Sequence, residues 1–233
     1  MSLVLAMDSS TAVQSLALVE EHKILCELQT DAARYRAENI VSSVDWLLRT
    51  ARRRLSDVAL FAVGQGPGSF TGLRIAMATA QGFALAFEKP MVAVPTLDAL
   101  VWNAYGVDSV YVFLEARMGE VFGAYYRRQP HGWHKERAEW VGPVENFLED
   151  AEDAPFILGD ATLTQRERIL ACRPKARLGT PFQAYPRAVY VAMEGLARWR
   201  AGAPTDPTHI APLYLRPSQA EQNLQKSGKT LVL

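Results

Sequence analysis

Short strand-like apolar segments mark the first thirty residues, and a period near 3.6 follows soon after. Leu3 to Met7 is an apolar run ending at Asp8, and Ser15 to Glu20 alternates. With Ser9-Ser10-Thr11 between them they predict a hairpin, and Lys23 to Leu28 predicts a third strand. Ile40, Val41, Val44, Leu47, Leu48 and Ala51 mark one face of a helix over 37–54. Val58 to Val63 reads as a buried strand, 73–87 as a helix stopped by Lys89-Pro90, and Met91 to Val94 as a short strand. Pro95-Thr96 opens a further helix to Tyr105, with Thr96 as its N-cap.

Near Gly106 the pattern begins again. Val110 to Leu114 is an apolar run ending at Glu115, Ala116-Arg117-Met118-Gly119 is a turn, and Val121 to Tyr126 returns. Leu3–Val19 laid over Val110–Tyr126 brings Asp8 onto Glu115, the mark of an internal duplication. Two units are therefore expected, 1–105 and 106–233. Farther on, Phe156 to Gly159 predicts a strand and Ala188 to Arg200 a helix, stopped by Gly202 and Pro204. Gln219 to Leu233 is expected to be a mobile tail.

Composition narrows the function. The 233 residues are 49% hydrophobic and 21% charged, enough for a substantial core. Lys and Arg (25) balance Asp and Glu (25), so no overall field attracts nucleic acid, and Arg52-Arg53-Arg54 reads as a solvated helix end. Cys26 and Cys172 make neither a disulfide framework nor a metal site, and are expected to be buried thiols. No signal-peptide pattern is seen at the start, and the apolar run over 75–87 falls short of the ~20 residues of a membrane span, so the expected location is the cytoplasm.

The candidate chemistry lies in Gly64-Gln65-Gly66-Pro67-Gly68-Ser69-Phe70-Thr71-Gly72-Leu73-Arg74, between a strand and a helix. Glycines there either bring backbone N–H groups to an anion at the helix N-terminus or let two protein surfaces close together. Ser69 lacks the pattern of a nucleophile elbow, so Ser69 and Thr71 read as turn and capping residues. His131 and His134, flanked by Pro130 and Gly132, read as loop residues without a third ligand nearby.

Two strand–acid–turn hairpins resemble the actin/hexokinase/Hsp70-type ATPase fold, with two ribonuclease-H-like lobes, the second degenerate here. Within it, residues 6–11, Gly66 to Arg74 and 116–121 resemble the three signatures of the TsaB family, and Pro212-Leu213-Tyr214-Leu215-Arg216 resembles its C-terminal motif. The resemblance implies a non-catalytic accessory subunit for N6-threonylcarbamoyladenosine at position 37 of tRNAs that read codons beginning with A. Its partners would be a TsaD-type catalytic subunit and a TsaE-type ATPase, with a homodimer formed alone, tRNA met only through the complex, and no cofactor, metal or membrane. In the catalytic paralogue a His-x-x-x-His segment binds metal; alignment on Lys89-Pro90 puts Thr96 and Leu100 at those positions, where neither offers an imidazole.

The family contact helices correspond to 37–54 and 73–87, and the second carries alanines and Gly82 around its circumference. The expected interface is Arg36, Ile40, Val44, Leu73, Ala76, Met77, Ala80, Phe83 and Ala84, with Arg36 where many members have a histidine. Asp8, Ser10, Thr11, Glu115 and Arg117 would form a vestigial nucleotide site, and Gly66, Pro67, Gly68, Ser69, Gly72 and Arg74 a structural motif. The alternative is a nucleotide-binding ATPase or phosphotransferase of the actin-like superfamily. Neither hairpin turn is glycine-rich and no Walker pattern occurs, which weighs against it.

Overall fold

The computed structural model describes residues 2–32 and 40–215. The first sheet holds β1 (Leu3–Asp8), β2 (Val13–Glu20), β3 (Lys23–Asp31), β4 (Leu60–Gly66) and β5 (Met91–Pro95). The second holds β6 (Ser109–Glu115), β7 (Val121–Gln129), β8 (Gly132–Gly142), β9 (Phe156–Leu158) and β10 (Arg177–Leu178). The helices are α1 (Ile40–Ala51), α2 (Phe70–Ala86), α3 (Thr96–Leu100), α4 (Val144–Leu148), α5 (Ala161–Thr164), α6 (Arg166–Cys172) and α7 (Ala188–Arg200).

The strand order is the same twice, β3-β2-β1-β4-β5 and β8-β7-β6-β9-β10. In each sheet a three-stranded antiparallel meander is extended by two parallel strands. Asp8 lies opposite Ser15 at the end of the first hairpin and Glu115 opposite Val121 at the end of the second. The fold is thus the two-sheet α/β fold expected, and the duplication read from the two acids extends through all ten strands.

β1 is buried on both faces, as the central strand of a covered sheet must be. Leu3, Leu5 and Met7 point into a core closed by α1 and α2; Val4 and Ala6 point into the opposite core, closed by α3 and α7. Strands of the first sheet end at Pro95 and those of the second begin at Ser109, yet α7 returns to lie on the first sheet. Residues 96–104 join the two cores. Ala99 packs with α7, while Leu97, Leu100, Val101 and Ala104 pack under Val110, Val112 and Leu114 of β6. The far face of the second sheet is covered by α4, α5 and α6, centred on Phe113, Phe147 and Ile169.

Several local expectations change. β8 places His134 inside a strand rather than a loop, and its charged sequence suits a sheet edge, where charges discourage pairing with another chain. Thr96 is the first residue of α3, whose N-cap is Pro95, because its hydroxyl is engaged elsewhere. Cys26 and Cys172 are free but half-buried rather than buried. Arg53 and Arg54 pair with Glu20 and Asp57. The positions 37–39 of the expected first helix, Arg36, and the segment from Arg216 onward lie outside the described residues.

Candidate functional site: the glycine turn and the face beside it

β1 delivers Asp8 to the mouth of the turn that joins β4 to α2. One carboxylate oxygen accepts from the Ser10 amide (2.9 Å) and hydroxyl (2.6 Å); the other accepts from the Thr96 hydroxyl (3.3 Å). The Gly66 amide donates in turn to Thr96 Oγ1 (3.1 Å). Asp8 is fully buried, and burial pushes its pKa up against the lowering effect of these bonds.

The glycines admit protein. A Cβ on Gly64 would fall 1.9 Å from Asp8 Oδ2, one on Gly68 2.3 Å from the Ser10 carbonyl oxygen, and one on Gly72 1.8 Å from that of Ser9. Ser9 Oγ donates to the Gly72 carbonyl (2.8 Å), the Ser69 amide donates to Ser10 O (2.6 Å), and Ser69 caps α2 by accepting from the Gly72 amide (3.3 Å). Two carbonyl oxygens therefore face the turn where an anion would sit. Of the two roles open to the glycines, this geometry serves close approach.

The motif is also tied to the far end of the described chain. The Leu213 amide donates to Gln65 O (2.7 Å) and Gln65 Nε2 to Ala211 O (3.0 Å). Gln81 Nε2 reaches the carbonyls of Pro207 (2.8 Å) and Ile210 (2.9 Å). Arg74 lies 3.9 Å over the Phe70 ring and donates to Tyr214 Oη (3.0 Å), and Tyr214 stacks on Phe70 at 5.0 Å.

The remaining nucleotide-site candidates are apart in their bonding. Thr11 bonds within its own turn, to Val13. Glu115 accepts from Thr164 and from Gln165 (3.1 Å), side chains of its own sheet's helices, and Arg117 sits on the following turn. Asp160, unnoticed in the sequence, precedes α5 beside them and accepts from the Glu115 amide (2.7 Å). Burial and then the Glu115 charge raise its pKa to about 6, despite the opposing amide bond. Leu100 is packed in the core, and among the described residues no three His, Cys, Asp or Glu side chains converge as a metal site requires.

The interface candidates on α1 and α2 face inward. Ile40, Val44, Ala76, Met77, Ala80 and Ala84 are each at most 3% exposed, inside the core under the first sheet, and Leu73, 1% exposed, packs against Gly66. Phe83 is half-buried there, against Phe61. Small residues on that side of α2 let it approach the sheet. The outward side carries Thr71, Ala78, Gly82, Leu85 and Ala86, and α1 beside it turns out Val41 and Trp46, 54% and 50% exposed.

Residues 29–159, more than half the chain, match the family described as TsaD: tRNA N6-adenosine threonylcarbamoyltransferase. The protein is similar to YeaZ from Pseudomonas aeruginosa, with a TM-score of 0.78 and 30% identity over 92% of this chain and 100% of that one. It is 40% identical over 147 residues to the Escherichia coli (strain K12) protein named tRNA threonylcarbamoyladenosine biosynthesis protein TsaB. The chain belongs to the TsaB family. The match to the E. coli TsaB protein covers 59% of this chain and 61% of that relative's length. A Bacillus subtilis (strain 168) protein also named TsaB is 27% identical over 236 residues, 97% of this chain and 99% of its own. Among the described residues no helix is long and apolar enough to cross a membrane.

Proposed function

We propose that this chain is a non-catalytic accessory subunit for forming N6-threonylcarbamoyladenosine at position 37 of tRNAs reading codons that begin with A. In this reading it acts in the cytoplasm, binding and activating a TsaD-type catalytic subunit together with a TsaE-type ATPase. The observation that carries it is the pairing of a filled turn with an open face. Asp8, Ser9 and Ser10 occupy the space the glycines create, whereas α1 and α2 present Val41, Trp46, Ala78, Gly82 and Leu85 outward. Exposed apolar side chains beside small residues suit a closely fitted partner. Names of the relatives support the pathway. The zero formal charge supports tRNA contact through the complex rather than by this chain alone. The same face would pair two copies when the catalytic subunit is absent.

The test is reconstitution. The chain, a TsaD-type subunit, a TsaE-type ATPase and unmodified tRNA are combined, and modified adenosine is measured with each component omitted in turn. Modification that depends on this chain, with no nucleotide turnover by it alone, is expected. Enzyme-like hydrolysis by the isolated chain would instead establish the ATPase reading.

A further inference from the structure

A cavity of about 110 Å³ opens between α3, α7 and the second sheet, sharing no residue with the glycine turn. Trp102, Tyr126 and Trp133 are its aromatic lining. Asp98 is saturated: it accepts from Tyr126 Oη (2.7 Å), Lys135 Nζ (2.7 Å) and Arg198 Nη2 (2.7 Å). Glu194 is not. One of its oxygens accepts from Trp102 Nε1 (2.7 Å), but the other has Arg198 Nε only at 3.9 Å, beyond hydrogen-bond reach. Two buried donors, Trp133 Nε1 and Arg198 Nε, have no hydrogen-bond partner among the described residues.

Each unmade bond is costly in a buried place, so the cavity specifies its complement. Two free N–H donors call for an oxygen acceptor. A carboxylate oxygen short of a partner calls for a cationic donor. Lys135 is shared between Asp98 and Glu139, and the Arg128 guanidinium lies 5.7 and 5.1 Å over the Trp102 and Trp133 rings. Lys135, Arg198 and Arg128 thus balance Asp98, Glu194 and Glu139, and a ligand with net charge would leave that charge uncompensated in a semi-enclosed site. The volume is somewhat below that of a cavity that takes benzene, about 150 Å³, which limits the buried part to about half a dozen heavy atoms.

We propose that this cavity binds a small amino-acid zwitterion. Its carboxylate accepts from Trp133 Nε1 and Arg198 Nε, its ammonium donates to the Glu194 oxygen that lacks a hydrogen bond, and its short side chain lies against the indole walls. The site stands independently of the accessory role proposed above. It borders both cores, since Asp98 and Glu194 come from helices on the first sheet and Trp133 and Lys135 from β8, so occupancy would stiffen the junction between them.

The experiment is calorimetric titration of the full chain with glycine and L-alanine, with acetate and methylammonium as the half-ligands. Millimolar, saturable binding of the two amino acids is expected, with both half-ligands at least about tenfold weaker. Glu194→Gln should weaken binding about ten- to a hundredfold and Trp133→Phe about tenfold, each losing one hydrogen bond to a charged group. Circular dichroism verifies that each variant is folded, and if Glu194→Gln does not fold, Trp133→Phe decides. Absence of saturable amino-acid binding, acetate binding as tightly as alanine, or full affinity in the folded variants would each overturn the proposal.

Discussion

Gly64 lies so close to the Asp8 carboxylate that a single added methyl would overlap Oδ2, with 1.9 Å between them. Neither partner can retreat. Gly64 is held in the parallel ladder between β1 and β5, and Asp8 is fixed by Ser10 and Thr96. Gly64→Ala should therefore destabilise the protein by about 3 kcal/mol, at the upper end for overpacking. Asp8→Ala leaves the Ser10 and Thr96 hydroxyls without an acceptor and should cost about 1–3 kcal/mol by itself. The two changes share one space, so the double variant should be clearly more stable than the sum of the single losses predicts, as read from chemical denaturation midpoints. Strict additivity would show that the overlap is relieved elsewhere.

The raised pKa of Asp160, from 3.8 to about 6, has a stability consequence with a definite sign. The folded state holds this proton more tightly than the unfolded state. Its contribution is complete below about pH 4 and is lost as pH rises through about 6, at most about 3 kcal/mol in all. Asp160→Asn keeps an acceptor for the Glu115 amide and removes the titration. The difference in unfolding free energy between wild type and this variant should thus move in the variant's favour between pH 4 and 7. A flat difference across that range would remove Asp160 as its source.

What could be read from the sequence was what repeats locally. Leu3–Asp8 and Ser109–Glu115 announce themselves by an apolar run ending in an acid, and Ala188–Arg200 by its helical spacing. β8 was hidden because Trp133, Trp140 and Val141 stand among charged residues and bulges opposite Tyr125 interrupt the alternation, so that Lys135 meets Asp98 while Arg137 meets Phe147 on the other face. On α2, Ala76, Ala78, Ala80 and Ala86 look alike in sequence. Only contact with the sheet separates the buried pair Ala76 and Ala80 from the outward Ala78 and Ala86. Thr96 was legible as a missing metal ligand but not as the hydroxyl joining Asp8 to Gly66, since that link spans 88 residues.

The two faces of α2 should respond oppositely to the same substitution. Leu85 is 55% exposed and Gly82 has open space about its Cα, so Leu85→Glu should leave the fold intact and abolish association with a TsaD-type subunit in size-exclusion chromatography. Ala76→Glu drives a carboxylate into a fully buried site and should cost several kcal/mol, unfolding the chain before it reports on any interface. Unchanged association by folded Leu85→Glu would exclude this face.

The segment ending at Tyr214 should protect the glycine turn in proportion to its bonds with α2. Gln81 donates both side-chain hydrogens to it, at Pro207 and Ile210, and Gln81→Ala leaves both carbonyls to solvent or unpaired. A loss of about 1–2 kcal/mol in local stability is expected, without a comparable change in global unfolding. The sensitive probe is the Leu213 amide, bonded to Gln65 O at the edge of the motif. Its hydrogen exchange should accelerate about five- to thirtyfold in Gln81→Ala, while amides of β1 exchange as in wild type. Tyr214→Phe keeps the ring on Phe70 and loses only the bond from Arg74, so its effect should be smaller. Equal acceleration at β1 and Leu213 would mean that the segment and the core open together, and that Gln81 supports the whole lobe rather than this clasp.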